Sequence, residues 1–314
     1  MSRPGIGATG QAQAAGNRPV IKEPVWTWEI PCYFFTGGLG GASAALAYGA
    51  RLAGNTELER SAWAAALGGL AASPPLLIMD LGKPSRFLNM LRVVKVTSPM
   101  NVGTWLLSGA SAATGVAALN AFTGRLAPAA AVARPAAAAL GMPVATYTAA
   151  LVANTSVPAW HEVRRELPFV FGASAVASAG AVTAIATPGR PGAPARRLAV
   201  GGALSEVALS AIMERRLDEP LARAYTTGTA GRLGTVGKAL GTAGAGLVAY
   251  GGGRSRAAVV AGGAFVAAGA LALRWSVFRA GFQSAADPDQ TVGPQRRRIE
   301  AGEARGAAHV AGGT

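Results

Sequence analysis

Long uncharged stretches alternate along this chain with short charged ones. Residues 30–50, 61–79, 101–124, 135–160, 167–189 and 257–273 contain no Asp, Glu, Lys or Arg. The hydrocarbon core of a bilayer is roughly 30 Å thick and is crossed by about 20 apolar residues in a helix. A helix also satisfies its own backbone polar groups, which lipid cannot do. The six runs therefore predict membrane-spanning helices. Two further segments carry the pattern more weakly: residues 198–213 hold Glu206 near their middle, and residues 239–253 are short and glycine-rich. The fold class expected is an all-α integral membrane protein, with about eight transmembrane helices in a bundle. The spans fall near 30–50, 61–80, 102–122, 136–157, 167–187, 198–213, 235–252 and 256–275. Residues 1–25 form a polar segment without the apolar stretch of a secretory signal, leaving targeting to the first span. Residues 281–314 read as a charged, glycine-rich, disordered tail.

Composition refines this picture. Ala and Gly stand where a soluble core would carry Leu and Ile. A high-GC codon bias accounts for that, and so does the close approach of helices in lipid through small residues. Gly37 and Gly41, and Gly237 and Gly241, are spaced four apart, but among 43 glycines these pairs specify no contact. The net charge of +14 does not point to nucleic acid, because the basic residues lie in the loops between apolar runs. With eight spans both termini share one side. That side collects 20 of the 29 Lys and Arg residues, against 9 on the other. The positive-inside rule then places both termini in the cytoplasm of a multi-pass plasma-membrane protein.

The same inventory excludes several chemistries within this chain. Cys32 is the only cysteine, whereas iron–sulfur clusters are held by four thiolates. The two histidines are His161, in a predicted loop, and His309, in the tail, so a haem held by two histidines inside the bundle is excluded. No metal-binding spacing and no Walker motif occur. The glycine run 37–41 lacks the strand and spacing of a dinucleotide fingerprint. If the protein handles electrons, the metal centres belong to partners.

Three stretches break the apolar monotony. The first opens span one, Trp26-Thr27-Trp28-Glu29-Ile30-Pro31-Cys32-Tyr33-Phe34-Phe35. Its tryptophans suit an interfacial belt or the wall of a site. Glu29 and Tyr33 are four apart and share one helical face, offering a proton acceptor and a hydrogen-bond donor. The second joins Asp80-Leu81-Gly82-Lys83-Pro84-Ser85-Arg86-Phe87 to Thr97-Ser98-Pro99-Met100-Asn101. It reads either as an ordinary loop with snorkelling cations or, with Lys83 and Arg86, as a docking surface for a soluble partner. The third is Tyr147 between Thr146 and Thr148, leading to Val157-Pro158-Ala159-Trp160. A lone intramembrane tyrosine serves packing, or lines a cavity when its neighbours are polar.

Together these stretches resemble the NrfD/polysulfide reductase membrane-subunit family. The matching pieces are residues 26–31 with 33–38, residues 80–87, Ser98-Pro99-Met100 with Gly103 and Trp105, and Tyr147-Thr148 with residues 157–160. They cover about 26–170, and the remainder agrees in hydropathy alone. The resemblance implies a quinone-reactive subunit of eight or more helices, with menaquinone as the expected quinone. It lends a quinone site to a multi-subunit oxidoreductase and has no catalytic centre for a soluble substrate. It also implies a ferredoxin-like iron–sulfur partner, often linked to a molybdopterin subunit, and neither haem nor cluster in the membrane chain. Tyr147 matches the tyrosine that approaches the quinone carbonyl in relatives, and Tyr33 stands where some relatives carry a histidine. Tyr33, Tyr147 and Trp28 are thus the expected quinone contacts.

A quinone slot needs an apolar body with donors at the carbonyls, and a tyrosine hydroxyl donates at neutral pH. Glu29 and Asp80, which open span one and close span two, are the expected proton relays at one membrane side. Glu206 is a further candidate, since an ionised acid at mid-span costs roughly 2.5–3.5 kcal/mol and must face protein or water. The alternative function is a secondary transporter or ion-conducting protein, in which Glu206 would be the coupling group; no sequence repeat between the halves supports it. A pure anchor is the third reading. In relatives the iron–sulfur partner lies outside the cytoplasm, at the N-terminal side of span one. The charge count here puts that side in the cytoplasm, so either the complex faces inward or the basic loops reflect docking.

Overall fold

The computed structural model describes residues 21–287 together with Gln290 and Gly302. Among the described residues every regular element is helical. In chain order these are α1 (Glu29–Leu52), α2 (Thr56–Asp80), α3 (Arg86–Met90), α4 (Pro99–Thr123), α5 (Ala127–Ala153), α6 (Pro158–Glu162), α7 (Leu167–Ala186), α8 (Ala193–Arg216), α9 (Glu219–Thr226), α10 (Gly228–Gly251) and α11 (Arg256–Ala286). Local chemistry sets several boundaries. The Asn55 side chain caps α2 by accepting from Leu58 N at 3.1 Å. Ser98, followed by Pro99 at the first helical position, caps α4; a proline there gives up only an N–H that would be orphaned anyway.

Eight of these helices are long. Five, α2, α4, α5, α7 and α11, are long and apolar enough to cross a membrane. α1, α8 and α10 are of similar length, and α8 is the least apolar of the long helices. α8 carries Glu206 and clusters of arginine, and α10 is rich in glycine. α1 packs against α2, α5, α7 and α11 at the centre of the bundle. A helix enclosed by helices needs little lipid-facing surface.

Several helices exceed the stretches expected from charge-free runs. α5 begins at Ala127 rather than 136, because Arg134 is buried and donates to the Asn120 side chain instead of ending the helix. α11 continues past Arg274 and Arg279 to Ala286, into the stretch expected to be tail; the rest of that tail, like most of the polar segment 1–25, lies outside the described residues. α3, α6 and α9 are short helices in connections that were expected to be loops.

The long helices form two rings of four. In the first, α1 packs on α2, α2 on α4, α4 on α5 and α5 back on α1; in the second, α7, α8, α10 and α11 repeat the scheme. The rings meet through α1 with α7, α5 with α7, and α1 with α11. The two halves thus share a packing scheme that no sequence repeat announces. Small residues let the backbones touch. A Cβ at Gly41 would stand 2.2 Å from the Gly141 carbonyl oxygen, and one at Gly237 would stand 3.0 Å from that of Gly269. Both glycine pairs spaced four apart therefore contribute to helix contacts.

Candidate functional site

One end of the bundle gathers most of the residues singled out by sequence. The segment before α1 crosses the end of α2, where the Asp80 carboxylate accepts from Thr27 N at 3.1 Å and from Thr27 Oγ1 at 3.2 Å. The same hydroxyl also lies against Glu29. A hydroxyl has one proton to give, so Thr27 bonds one carboxylate at a time and brings Glu29 and Asp80 together. A carboxylate at a helix C-terminus opposes the macrodipole; its bonds to Thr27 account for Asp80 at the last position of α2.

Trp26, ahead of them, stacks on Trp160 with ring centroids 5.5 Å apart. The Trp160 indole donates to Val277 O at 2.7 Å and packs against Phe278 and Phe282 of α11. Gly281 leaves the space for this indole, since a Cβ there would stand 1.9 Å from the ring. Tyr225 of α9 donates to Ala159 O at 2.8 Å. Burial, with Glu214 nearby, pushes the Tyr225 hydroxyl well above the ordinary tyrosine range, so it remains a donor.

Trp28, expected at the quinone, is half exposed, and Trp26 holds the interior position instead. Tyr33 is fully buried, and its hydroxyl has no hydrogen-bond partner among the described residues. It shares a face of α1 with Glu29, as the spacing requires, but does not bond it. Tyr33 lies beside Gly37, Ser73 and Val144, which converge within 4 Å of one point on α1. Ser73 Oγ donates to Gly69 O at 2.8 Å and stands 2.9 Å from Thr36 Oγ1. Tyr147 packs on the same apolar cluster as Tyr33. Its ring lies against Gly103, where a Cβ would stand 2.1 Å from a ring carbon. The hydroxyl of neighbouring Thr148 is buried without a partner.

Lys83 and Arg86 are exposed on the connection between α2 and α4, at the Asp80 end. Asn101 fixes that connection: its amide donates to Met90 O at 2.7 Å and Val93 O at 2.9 Å, and its carbonyl accepts from Lys95 N at 2.6 Å. Trp105 adds a bond to Val93 O at 3.3 Å. This clamp was missed from sequence, although Asn101 stands in the Ser98-Pro99-Met100-Asn101 run. Ser73 was also missed; a polar residue ahead of Pro74-Pro75 inside an apolar run was its signal.

Glu206 lies apart from this end group, in the second ring. It is buried in α8 and faces Arg274 of α11, which is 1% exposed. Arg274 donates to Phe171 O at 2.9 Å and to Ser174 Oγ at 3.3 Å, and lies over the Phe171 ring at 4.5 Å. Arg274 stands at the edge of the last expected span, 256–275, but the helix runs on past it and carries it into the interior. Among the described residues no group of three His, Cys, Asp or Glu side chains is placed to hold a metal.

A family model described as polysulphide reductase, NrfD, matches residues 17–192. The chain belongs to this family. The match runs through α1 to α7 and ends just before α8, so it includes the whole Glu29–Asp80–Tyr33–Tyr147 region and leaves out Glu206 and Arg274. A comparison with curated proteins returned no match. NrfD proteins are membrane subunits of oxidoreductase complexes, and the apolar helices make this chain a multi-pass membrane protein.

Proposed function

We propose that this chain crosses the membrane eight times and is the quinone-reactive anchor of an oxidoreductase complex. It exchanges electrons between menaquinone or menaquinol and a ferredoxin-like iron–sulfur subunit, which in turn serves a molybdopterin subunit. The observation that carries the reading is the Tyr33 hydroxyl, buried without a protein acceptor in the apolar cluster that also seats Tyr147. An orphaned buried donor costs about 1–3 kcal/mol, and a ligand carbonyl would relieve that cost. Leu70, Val144 and Phe171 belong to that cluster, and the Thr148 hydroxyl next to Tyr147 in the chain is likewise buried without a partner among the described residues.

A bound quinone takes up or releases two electrons with two protons. In this reading Tyr33 and Tyr147 orient its carbonyls by donating hydrogen bonds. Glu29 and Asp80, linked by Thr27, carry protons at the bundle end nearest Tyr33. Lys83 and Arg86 present positive charge to the iron–sulfur subunit at the same end, which keeps the electron path short. The basic loops then reflect docking as much as topology.

The test is quinone extraction from the purified complex together with turnover on a soluble menaquinol analogue. The complex is expected to retain menaquinone, and Tyr33→Phe to lower its occupancy with assembly intact. A complex that holds no quinone and neither oxidises nor reduces the analogue overturns the reading and leaves the ion-conducting alternative.

A further inference from the structure

Glu206, Ser210 and Glu214 are spaced at four-residue intervals on α8 and line one face of a narrow cavity between α7, α8, α9 and α11. Tyr225, Arg274 and Ser276 complete its polar lining, and its volume of about 10 Å³ holds roughly one water. The outer end is Glu214, whose carboxylate bonds Lys238 of α10 at 2.6 Å. The inner end is Glu206, about 15 Å along the helix from Arg216, or roughly half the thickness of the hydrocarbon core.

Three polar atoms at the inner end have no partner among the described residues: Glu206 Oε1, Ser210 Oγ and Arg274 Nη1. Buried polar groups are ordinarily satisfied, and orphans from two helices on one small cavity mark the place of a shared water. The cavity also approaches the first ring. The Arg274 guanidinium fills the space left by Gly38, where a Cβ would stand 2.7 Å from Nη2; the Tyr33 ring fills the space beside Gly37, 3.5 Å from the corresponding point. The inner end of the cavity and the orphaned tyrosine are thus separated by two adjacent glycines of α1.

We propose that the Glu206–Ser210–Glu214 face is a proton path from the Glu214 end of α8 to the interior, ending beside the Tyr33 site. The proposal rests on the quinone reading above. The chemistry is proton transfer alone: Glu206 releases its proton toward the site as the quinone takes up electrons from the iron–sulfur partner, and is reprotonated from Glu214 through water and the Ser210 hydroxyl. Arg274 holds the Glu206 carboxylate after release. The charged and titratable groups facing the path are Glu206 and Glu214 of α8, Tyr225 of α9, Lys238 of α10 and Arg274 of α11; α7 contributes the uncharged Ser174.

The experiment measures quinone-linked turnover across pH, in H2O and D2O, on the intact complex carrying Glu206→Gln, Glu206→Asp or Ser210→Ala. Glu206→Gln is expected to slow turnover by about tenfold or more with the KM for quinone unchanged, and to flatten the pH profile. Glu206→Asp should restore much of the rate, and Ser210→Ala should enlarge the D2O effect. If Glu206→Gln does not assemble, Glu214→Gln at the cavity mouth carries the test, with a flattened pH profile expected. Wild-type rates, pH profile and D2O effect in the assembled variants overturn the proposal while quinone turnover by the wild type keeps the quinone reading. Absence of quinone turnover in the wild type removes both.

Discussion

The ring of Tyr147 rests against the bare α-carbon of Gly103, closer than any side chain at that position would permit. The tyrosine's position is therefore set by the absence of a group on the facing helix. Gly103→Ala should displace the ring or separate α4 from α5, at about 1–3 kcal/mol. The expected readout is lower thermal stability of the purified protein together with lost quinone occupancy. Full stability with unchanged occupancy would show that the ring has another seat.

Tyr147→Phe separates packing from hydrogen bonding. The ring keeps its place on Gly103 and only the hydroxyl is lost, so insertion and thermal stability should match wild type. Quinol oxidation should fall by up to about tenfold, the worth of one hydrogen bond. Unchanged quinol kinetics would remove Tyr147 from the site.

Lys83→Glu combined with Arg86→Glu should leave the membrane chain folded, because both side chains are exposed and form no ion pair among the described residues. Co-purification of the iron–sulfur subunit should drop, and more steeply at low salt, where exposed charges act over a longer range. Full retention of that subunit would refute docking at this loop.

Asn101→Ala tests the same loop through its backbone. Three hydrogen bonds to Met90, Val93 and Lys95 disappear at once. Trypsin should then cut at Arg86, Arg92 or Lys95 several times faster, while the long helices stay protected. Equal cleavage rates would mean that Trp105 alone holds the connection.

Asp80→Asn should loosen the segment before α1, since the neutral amide accepts from Thr27 more weakly than a carboxylate. The expected loss is about 1 kcal/mol, with faster proteolysis near Lys22 and slower quinone-linked turnover. A variant that matches wild type in both would leave Asp80 with no part in either.

The membrane fold was legible because charge is costly in lipid, so runs without charge mark helices directly. That logic fails where the protein itself solvates a charge. Arg134 lies inside α5 because Asn120 accepts from it, and Arg274 lies inside α11 because Phe171 O and Ser174 do. The resumption of aromatic and apolar residues after Arg274, from Trp275 to Phe282, was the available signal that the helix continues. At the site, the Trp26–Glu29, Asp80, Tyr147 and Trp160 stretches were legible as motifs. Which tryptophan faces inward was not, because Trp26 and Trp28 both lie just before α1, where no helical periodicity assigns a face. Ser73 and Asn101 were hidden because Thr36 and the Met90–Lys95 connection, which they meet, lie on other segments.

The stack of Trp26 on Trp160, itself bonded to Val277, ties the beginning of the described chain to its last helix. A ribosome releases these pieces in sequence, with 250 residues between Trp26 and Val277. The segment before α1 meets Asp80 once α2 is made, but its stack on Trp160 gains the Val277 anchor only after α11 has inserted. A nascent chain stalled before α11 would hold the first ring with Thr27 on Asp80, leaving the Trp26–Trp160 stack without that anchor. Completion of the last helix is what closes the first part made.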